Sequence, residues 1–376
     1  MDELAKHDLQ ARLERVAALC RTWTSENPAR VVAMYVAQKE RVLMDHAFGL
    51  AVPLADAQRT LPAQTETIFL VASLTKPLTA AAVCLLVDRG QALLDDPLSF
   101  YLPSFSGGER RAVRLRHLLT HTSGLPDMLP ENVALRAAHA PLSAFVEGSC
   151  ATRLLYSPGT DCRYQSMGTL LAAAVVERVS GLPLPQFLEN EFFRPLAMKD
   201  TCLGLEALDH DRIARVILQG DDAATSWNWN SLYWRALGAP WGGLHTTARD
   251  YARFVQLMLA GGESSGQRVL SAAMVRAMLS SQLEQMPGMS ARARLEQAWG
   301  LGWRLNRPLG AHSLPELGSV CAFGHGGATG TVAWADPDSD LICVILTNDP
   351  SSGPLRARLS NLVAGLAGGP QGGVMS

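Results

Sequence analysis

The sequence has no run of like charges, no apolar stretch long enough to span a bilayer, and no cysteine pairs at metal-ligand spacing. Each absence removes a class of function. With a net charge of −2 from 33 basic and 35 acidic residues, it carries neither a nucleic-acid footprint nor a polybasic membrane anchor. The segment Met1 to Trp23 lacks the basic start and unbroken apolar stretch of a secretion signal. It is charged throughout, and Leu9, Leu13, Val16 and Ala17 follow helical spacing, so it reads as an amphipathic helix. The seven cysteines (Cys20, Cys84, Cys150, Cys162, Cys202, Cys321 and Cys343) are odd in number and scattered, which fits buried thiols in a reducing compartment. The expectation is a soluble, cytoplasmic protein with a small-molecule partner and no nucleic-acid or membrane partner.

What is present is material for a large core: 376 residues, 48% of them hydrophobic and 18% charged. Two β-like runs, Val31 to Ala37 and Arg41 to Leu50, flank a short polar turn and predict a hairpin. Ile68 to Ala72 is a brief apolar entry into a helical stretch, Leu74 to Arg89, ended by Gly90. From about Leu94 to Leu237 the pattern is mostly helical, with a strongly apolar helix at Leu170 to Val179. A further helix, Thr247 to Leu259, stops at Gly261-Gly262. Strand character returns at Thr331 to Ala335 and Leu341 to Thr347, with Asp336 to Asp340 as the turn, before a helix at Leu355 to Leu366. No internal repeat is evident. The economical fold is α/β (α+β): a mainly antiparallel sheet flanked by helices, built from both chain ends, with a helical insertion. The corresponding division is residues 1–100 with 240–368 for the sheet domain, 101–239 for the helical domain and 369–376 for a Gly-rich flexible tail.

Three short segments carry chemistry. In Ser73-Leu74-Thr75-Lys76 the first and last residues share one helical face, so hydroxyl and amine can touch. A serine hydroxyl needs a base within hydrogen-bond reach, and a lysine serves only where its charged form is disfavoured. A helix N-terminus also offers the Ser73 backbone N–H to a developing oxyanion. Pro77 sits early enough in the helix to be tolerated. The same four residues would also suit a capped helix with a surface lysine, but apolar flanks on both sides place them at a partly buried junction. The second segment, Tyr164-Gln165-Ser166, puts a phenol where it can pass protons, although a packed tyrosine would look alike. The third, His325-Gly326-Gly327-Ala328-Thr329-Gly330, opens the Thr331 strand. Its small residues let a substrate approach a strand edge, and a backbone N–H there can complete an oxyanion hole; a glycine-rich turn between strands is the plainer alternative.

Together these segments resemble the serine β-lactamase and D-Ala-D-Ala carboxypeptidase group, which includes the family VIII carboxylesterases; the S-x-x-K and K-T-G signatures are established for related enzymes. The resemblance extends through Leu94-Asp95-Asp96-Pro97 with Tyr101-Leu102-Pro103, and through His117-Leu118-Leu119-Thr120-His121-Thr122-Ser123-Gly124-Leu125. It continues in Tyr156-Ser157-Pro158-Gly159, Phe193-Arg194-Pro195-Leu196 and Gly242-Gly243-Leu244, running from about Val31 to Leu346. It implies a β-lactamase/transpeptidase-like fold and an acyl-enzyme on Ser73. It further implies Lys76 and Tyr164 as general base and acid, in an order the residues leave open, and an oxyanion hole from Ser73 and Ala328. Ser166, His325, Gly326 and Gly327 would complete the substrate site. No cofactor or metal is expected.

Two positions depart from the usual pattern. Ser166 stands where an asparagine is common, and His325-Gly326-Gly327 stands where lysine, threonine and glycine are common. Both changes remove grip on a carboxylate or an amide side chain and favour small acyl esters. A β-lactamase or D-amino-acid peptidase/carboxypeptidase is the alternative within enzymes, and a catalytically idle binding module is the alternative outside them. Gly262-Glu263-Ser264-Ser265-Gly266 matches the nucleophile-elbow pattern but follows a helix in a polar loop, so it reads as a surface turn. His117 and His121, four apart, read as structural rather than zinc-binding. Trp227, Trp229, Trp234 and Trp241 form a cluster that is either core or the wall of an acyl pocket.

Overall fold

The computed structural model describes residues 3–39, 41–205, 208–286, 288–307 and 314–368, so the expected tail at 369–376 lies outside the described residues. Among these residues, seven strands form one antiparallel sheet. Their order is Leu61–Pro62, Arg41–Ala51, Val31–Gln38, Leu341–Thr347, Thr331–Asp336, Phe323–Gly327 and Arg304–Leu305. The two chain ends meet at its centre, where Val32 pairs with Thr347 and Gln38 with Leu341.

Alternation along the central strands explains the layers. Val32, Met34 and Val36 face one side with Cys343 and Ile345, against Val16, Cys20 and Trp23 of the N-terminal helix Glu3–Ser25 and Leu355, Leu359 and Val363 of the helix Gly353–Ala364. Val31, Ala33, Ala333, Ile342, Val344 and Leu346 face the other side and join the main core. The Leu341–Thr347 strand is therefore covered on both faces, which is why it reads as an unbroken apolar run.

The remaining helices enclose the main core. The helix Thr75–Asp88, almost wholly buried, lies against Ser166–Ser180, which is buried over its first half. Gly181, at φ 72°, ends the latter in a left-handed cap. Helix Ala248–Leu259 is capped by Thr247, whose hydroxyl accepts from the Asp250 N–H, and sends Tyr251 and Phe254 into the core. The Gly262–Gly266 segment forms a small hairpin, Glu263–Ser264 against Gln267–Arg268, with no strand-to-helix elbow. No single helix among the described residues is long and apolar enough to cross a membrane. Cys20, Cys84, Cys150, Cys162 and Cys343 are buried free thiols, Cys202 is half-buried and Cys321 is exposed.

Candidate active site

Ser73 does not open the helix itself. It sits in a 3₁₀ turn, Ala72–Leu74, that runs directly into Thr75–Asp88. The short strand Phe69–Leu70 before it pairs with Leu244–Thr246, and the Val71 N–H donates to the Leu244 carbonyl. Ala72 is held at φ 46°, a left-handed conformation costly for a residue with a Cβ. Pro77 is the third residue of the α-helix, where its missing N–H has no intrahelical partner to lose.

Two hydroxyls fasten this segment to the turn after the glycine-rich strand Phe323–Gly327 and to the start of the next strand. Thr329 Oγ1 donates to the Leu70 carbonyl at 2.6 Å and Thr331 Oγ1 to the Val71 carbonyl at 2.9 Å. A Cβ on Gly327 would stand 2.2 Å from the Val71 carbonyl oxygen, so no side chain fits there. The sequence assigned the small residues to substrate approach; for Gly327 the approaching chain is the protein's own, the strand that delivers Ser73.

Lys76 Nζ lies 3.0 Å from Ser73 Oγ and donates to the Trp241 carbonyl at 3.0 Å. The residue is 3% exposed, and burial pushes its pKa down to about 7, with the Asp127 charge opposing the shift. The Tyr164 phenol adjoins Ser73 in the same cavity, and burial of that end, the largest influence, holds it well above its ordinary value although Ser73 opposes the shift. Its ring lies 4.6 Å from Lys76 Nζ. His121, at φ 60°, packs its ring 4.6 Å from that of Tyr164 and 4.3 Å from that of Trp299. Its Nδ1 accepts from the Gln165 N–H, and its carbonyl accepts from Tyr156 Oη and the Arg163 N–H, so the loop bearing Tyr164 is moored to it. His117 Nδ1 accepts from the Arg114 N–H.

Ser73, Tyr164, His325, Gly326, Gly327 and Ala328 line one cavity of about 290 Å³, with Lys76 bonded to Ser73 beneath it. Ser166 is not on that wall: its hydroxyl donates to Asp127 Oδ1 at 2.7 Å and its N–H to the Asp127 carbonyl. His325 is buried, and its Nδ1 lies 2.7 Å from the Gly326 carbonyl, which makes Nδ1 the protonated nitrogen. Burial, then the nearby Lys76, push its pKa down to about 3, so the imidazole is neutral and Nε2 is an acceptor without a partner among the described residues.

Three cavity residues carried no signal in the sequence: Trp299, Arg304 and Arg356. Arg304 stacks 5.1 Å over the Trp299 ring. Arg356 donates from Nε to Ser352 Oγ and from Nη1 to the Thr331 carbonyl. Neither lies in a recognisable motif, and only tertiary folding brings them to Ser73. The tryptophan cluster divides. Trp234 and Trp241 are buried in a T-shaped pair with centroids 6.2 Å apart, while Trp227 and Trp229 are half-buried around a separate cavity.

Comparisons with known proteins agree with this fold. Protein Rv1367c of Mycobacterium tuberculosis is 30% identical over 345 residues, covering 82% of this chain and 83% of the relative. A putative D-alanyl-D-alanine carboxypeptidase of Escherichia coli K12 is 27% identical, over 78% of this chain and 72% of its own. The solved structure of EstCE1, described as a hydrolase with promiscuous acyltransferase activity, superposes with a TM-score of 0.76 at 21% identity, covering 96% of this chain and 99% of its own. The β-lactamase family profile matches residues 17–367, nearly the whole of the fold just described, and the chain belongs to that family of serine hydrolases.

Proposed function

We propose that the protein hydrolyses small acyl esters through an acyl-enzyme on Ser73. The observation that carries this reading is the 3.0 Å contact between Ser73 Oγ and a buried lysine whose pKa is pushed down to about 7. Near neutral pH a large fraction of Lys76 is the free amine and takes the Ser73 proton directly. The Tyr164 phenol stays protonated and is the partner that donates to the leaving group. The Ser73 and Ala328 backbone N–H groups receive the oxyanion. An ester needs these groups and no cation from the third segment, which fits a neutral His325.

One observation favours the second reading, a β-lactam or D-peptide substrate. Arg304 and Arg356 line the same cavity and could hold a carboxylate that His325 cannot. Charge-assisted hydrogen bonds of this kind contribute about 1.5–3 kcal/mol, roughly ten- to a hundredfold in rate. The deciding measurement compares kcat/KM for p-nitrophenyl acetate and butyrate with nitrocefin and a D-Ala-D-Ala peptide, each referred to its uncatalysed hydrolysis. Ester preference is expected, and the reverse order transfers the assignment to the second reading. Fluorophosphonate labelling of wild type but not of Ser73→Ala is expected in either case, with Ser264→Ala labelled like wild type. A wild-type protein that resists labelling would mean an idle site.

A further inference from the structure

We infer that the Ser73 cavity selects esters whose leaving alcohol carries a second hydroxyl beside the ester oxygen, and that Trp299 and His325 read that hydroxyl together; this rests on the acyl-Ser73 reading and deepens it. The observation behind it is a pair of buried groups of opposite sense. Trp299 Nε1 is a donor and His325 Nε2 an acceptor, both residues line the cavity, and neither atom has a partner among the described residues. Trp234, Trp241 and Trp303 also bury unpartnered indole N–H groups, but none of them lines the Ser73 cavity.

The fold places both rings. His325 and Gly327 are two apart on the strand Phe323–Gly327, so they face the same side of the sheet. Gly327 abuts the Val71 carbonyl, in the segment that delivers Ser73, and the imidazole is therefore turned to that side. Its ring centroid lies 6.0 Å from that of Tyr164 and 5.7 Å from that of Trp299. Trp299 forms an isolated β-bridge with Arg304, whose guanidinium lies over the indole, and the His121 ring packs edge-on against it. Indole and imidazole are thus held in place before any ligand arrives. The Nδ1 proton of His325 is committed to the Gly326 carbonyl, which leaves Nε2 only its lone pair.

Few ligand groups can satisfy such a pair. A carboxylate accepts from the indole but has no proton for Nε2. An ammonium has protons but cannot accept, and Arg304 and Arg356 in the same wall repel it. A hydroxyl does both at once, accepting from Trp299 and donating to His325. Tyr164, the donor to the leaving group, is the ring beside His325, so the hydroxyl belongs to the alcohol half of the ester. The carbon next to the ester oxygen is the nearest place for it. At about 30 Å³ per water-sized group, the cavity of about 290 Å³ holds roughly ten non-hydrogen atoms, a short acyl chain on a small diol. The substrate class is a short-chain monoester of a 1,2-diol. Burial keeps the imidazole neutral, so it remains an acceptor throughout the neutral range.

The test uses the full-length protein and three butyrates. 2-Hydroxyethyl butyrate carries the hydroxyl, propyl butyrate replaces it with a methyl of similar size, and 2-methoxyethyl butyrate keeps the oxygen without the proton. With each rate referred to uncatalysed hydrolysis, wild-type kcat/KM should favour the hydroxy ester over both others by about tenfold or more. The preference should fall to about one in His325→Phe and in Trp299→Phe, which keep a ring and remove the acceptor or the donor. A wild-type preference of about one, or a preference unchanged in either variant, would overturn the inference. Binding is read separately on Ser73→Ala labelled with ¹⁵N-histidine. The His325 Nε2 resonance should move upfield on adding 2-hydroxyethyl butyrate and stay in place with propyl butyrate. If wild type cleaves none of the esters, the esterase reading falls and this arm alone decides the hydroxyl site: an Nε2 signal that ignores the hydroxy ester would sink it.

Discussion

Lys76 and Arg235 are the most deeply buried cations among the described residues, and they face opposite fates. Lys76 has two acceptors, the Ser73 hydroxyl and the Trp241 carbonyl, and its pKa is pushed down to about 7. Arg235 is 0% exposed, yet it gives Nε to the Trp229 carbonyl, Nη2 to Asn230 Oδ1 and the Ala214 carbonyl, and Nη1 to His245 Nε2. Burial lowers its pKa only to about 9, so it remains charged at neutral pH. Burial lowers both by a similar amount, and Arg235 keeps its proton because a guanidinium starts from 12.5 where an ammonium starts from 10.5. The comparison teaches that at equal depth the choice of cation separates a base from a brace, and the acceptors around Arg235 give the brace its hold.

The largest expected effect that would test this contrast is on turnover. Lys76→Met should cut kcat/KM by about a thousandfold or more, as Ser73→Ala should, because nucleophile and base act as one unit. The same substitution should stabilise the fold at neutral pH. With a folded-state pKa of about 7 against an unfolded value near 10.5, Lys76 takes up a proton on unfolding throughout that window. Its stability cost is therefore greatest at and below pH 7 and fades as pH rises towards 10.5. Removing it should add on the order of 3 kcal/mol at pH 7, read by denaturant melts; a destabilised Lys76→Met would show that the amine is a brace after all.

Arg235→Met should do the reverse, costing about 2–4 kcal/mol of stability by orphaning several buried acceptors. Folded molecules should keep kcat within a few fold. A thousandfold loss of kcat in well-folded Arg235→Met would erase the distinction.

The pH profile is the next sharper test. Activity should rise with pH through about 7 as Lys76 loses its proton. His325, pushed down to about 3, should leave no limb of its own between pH 5 and 8. The smallest effect concerns Asp127, whose charge favours the protonated amine. Asp127→Asn should move the limb to lower pH by a few tenths of a unit, and a shift to higher pH would mean that its bond to Ser166 matters more than its charge.

What the sequence made legible was local or periodic. Three-residue spacing put Ser73 and Lys76 in contact because helical geometry fixes that distance in either a 3₁₀ or an α turn. Alternating and continuous apolar runs announced the hairpin and the two strands that join the chain ends. The environment was not legible. His325 is neutral because of what buries it, Ser166 is committed to a carboxylate 39 residues away in sequence, and Arg304 and Arg356 reach the cavity from separate segments. Spacing reports which atoms can meet along one element and says little about the dielectric around them.

The Thr329 and Thr331 hydroxyl bonds to the carbonyls of Leu70 and Val71 carry a mechanical consequence. They rivet the turn holding Ala328, and the strand that follows it, to the turn holding Ser73, with Gly327 pressed against the joint. The two N–H groups proposed to receive the oxyanion therefore ride on one stiff bracket. The freer wall of the cleft is expected to be the opposite one, where Arg304 sits on the outermost strand of the sheet and Trp299 bridges to it.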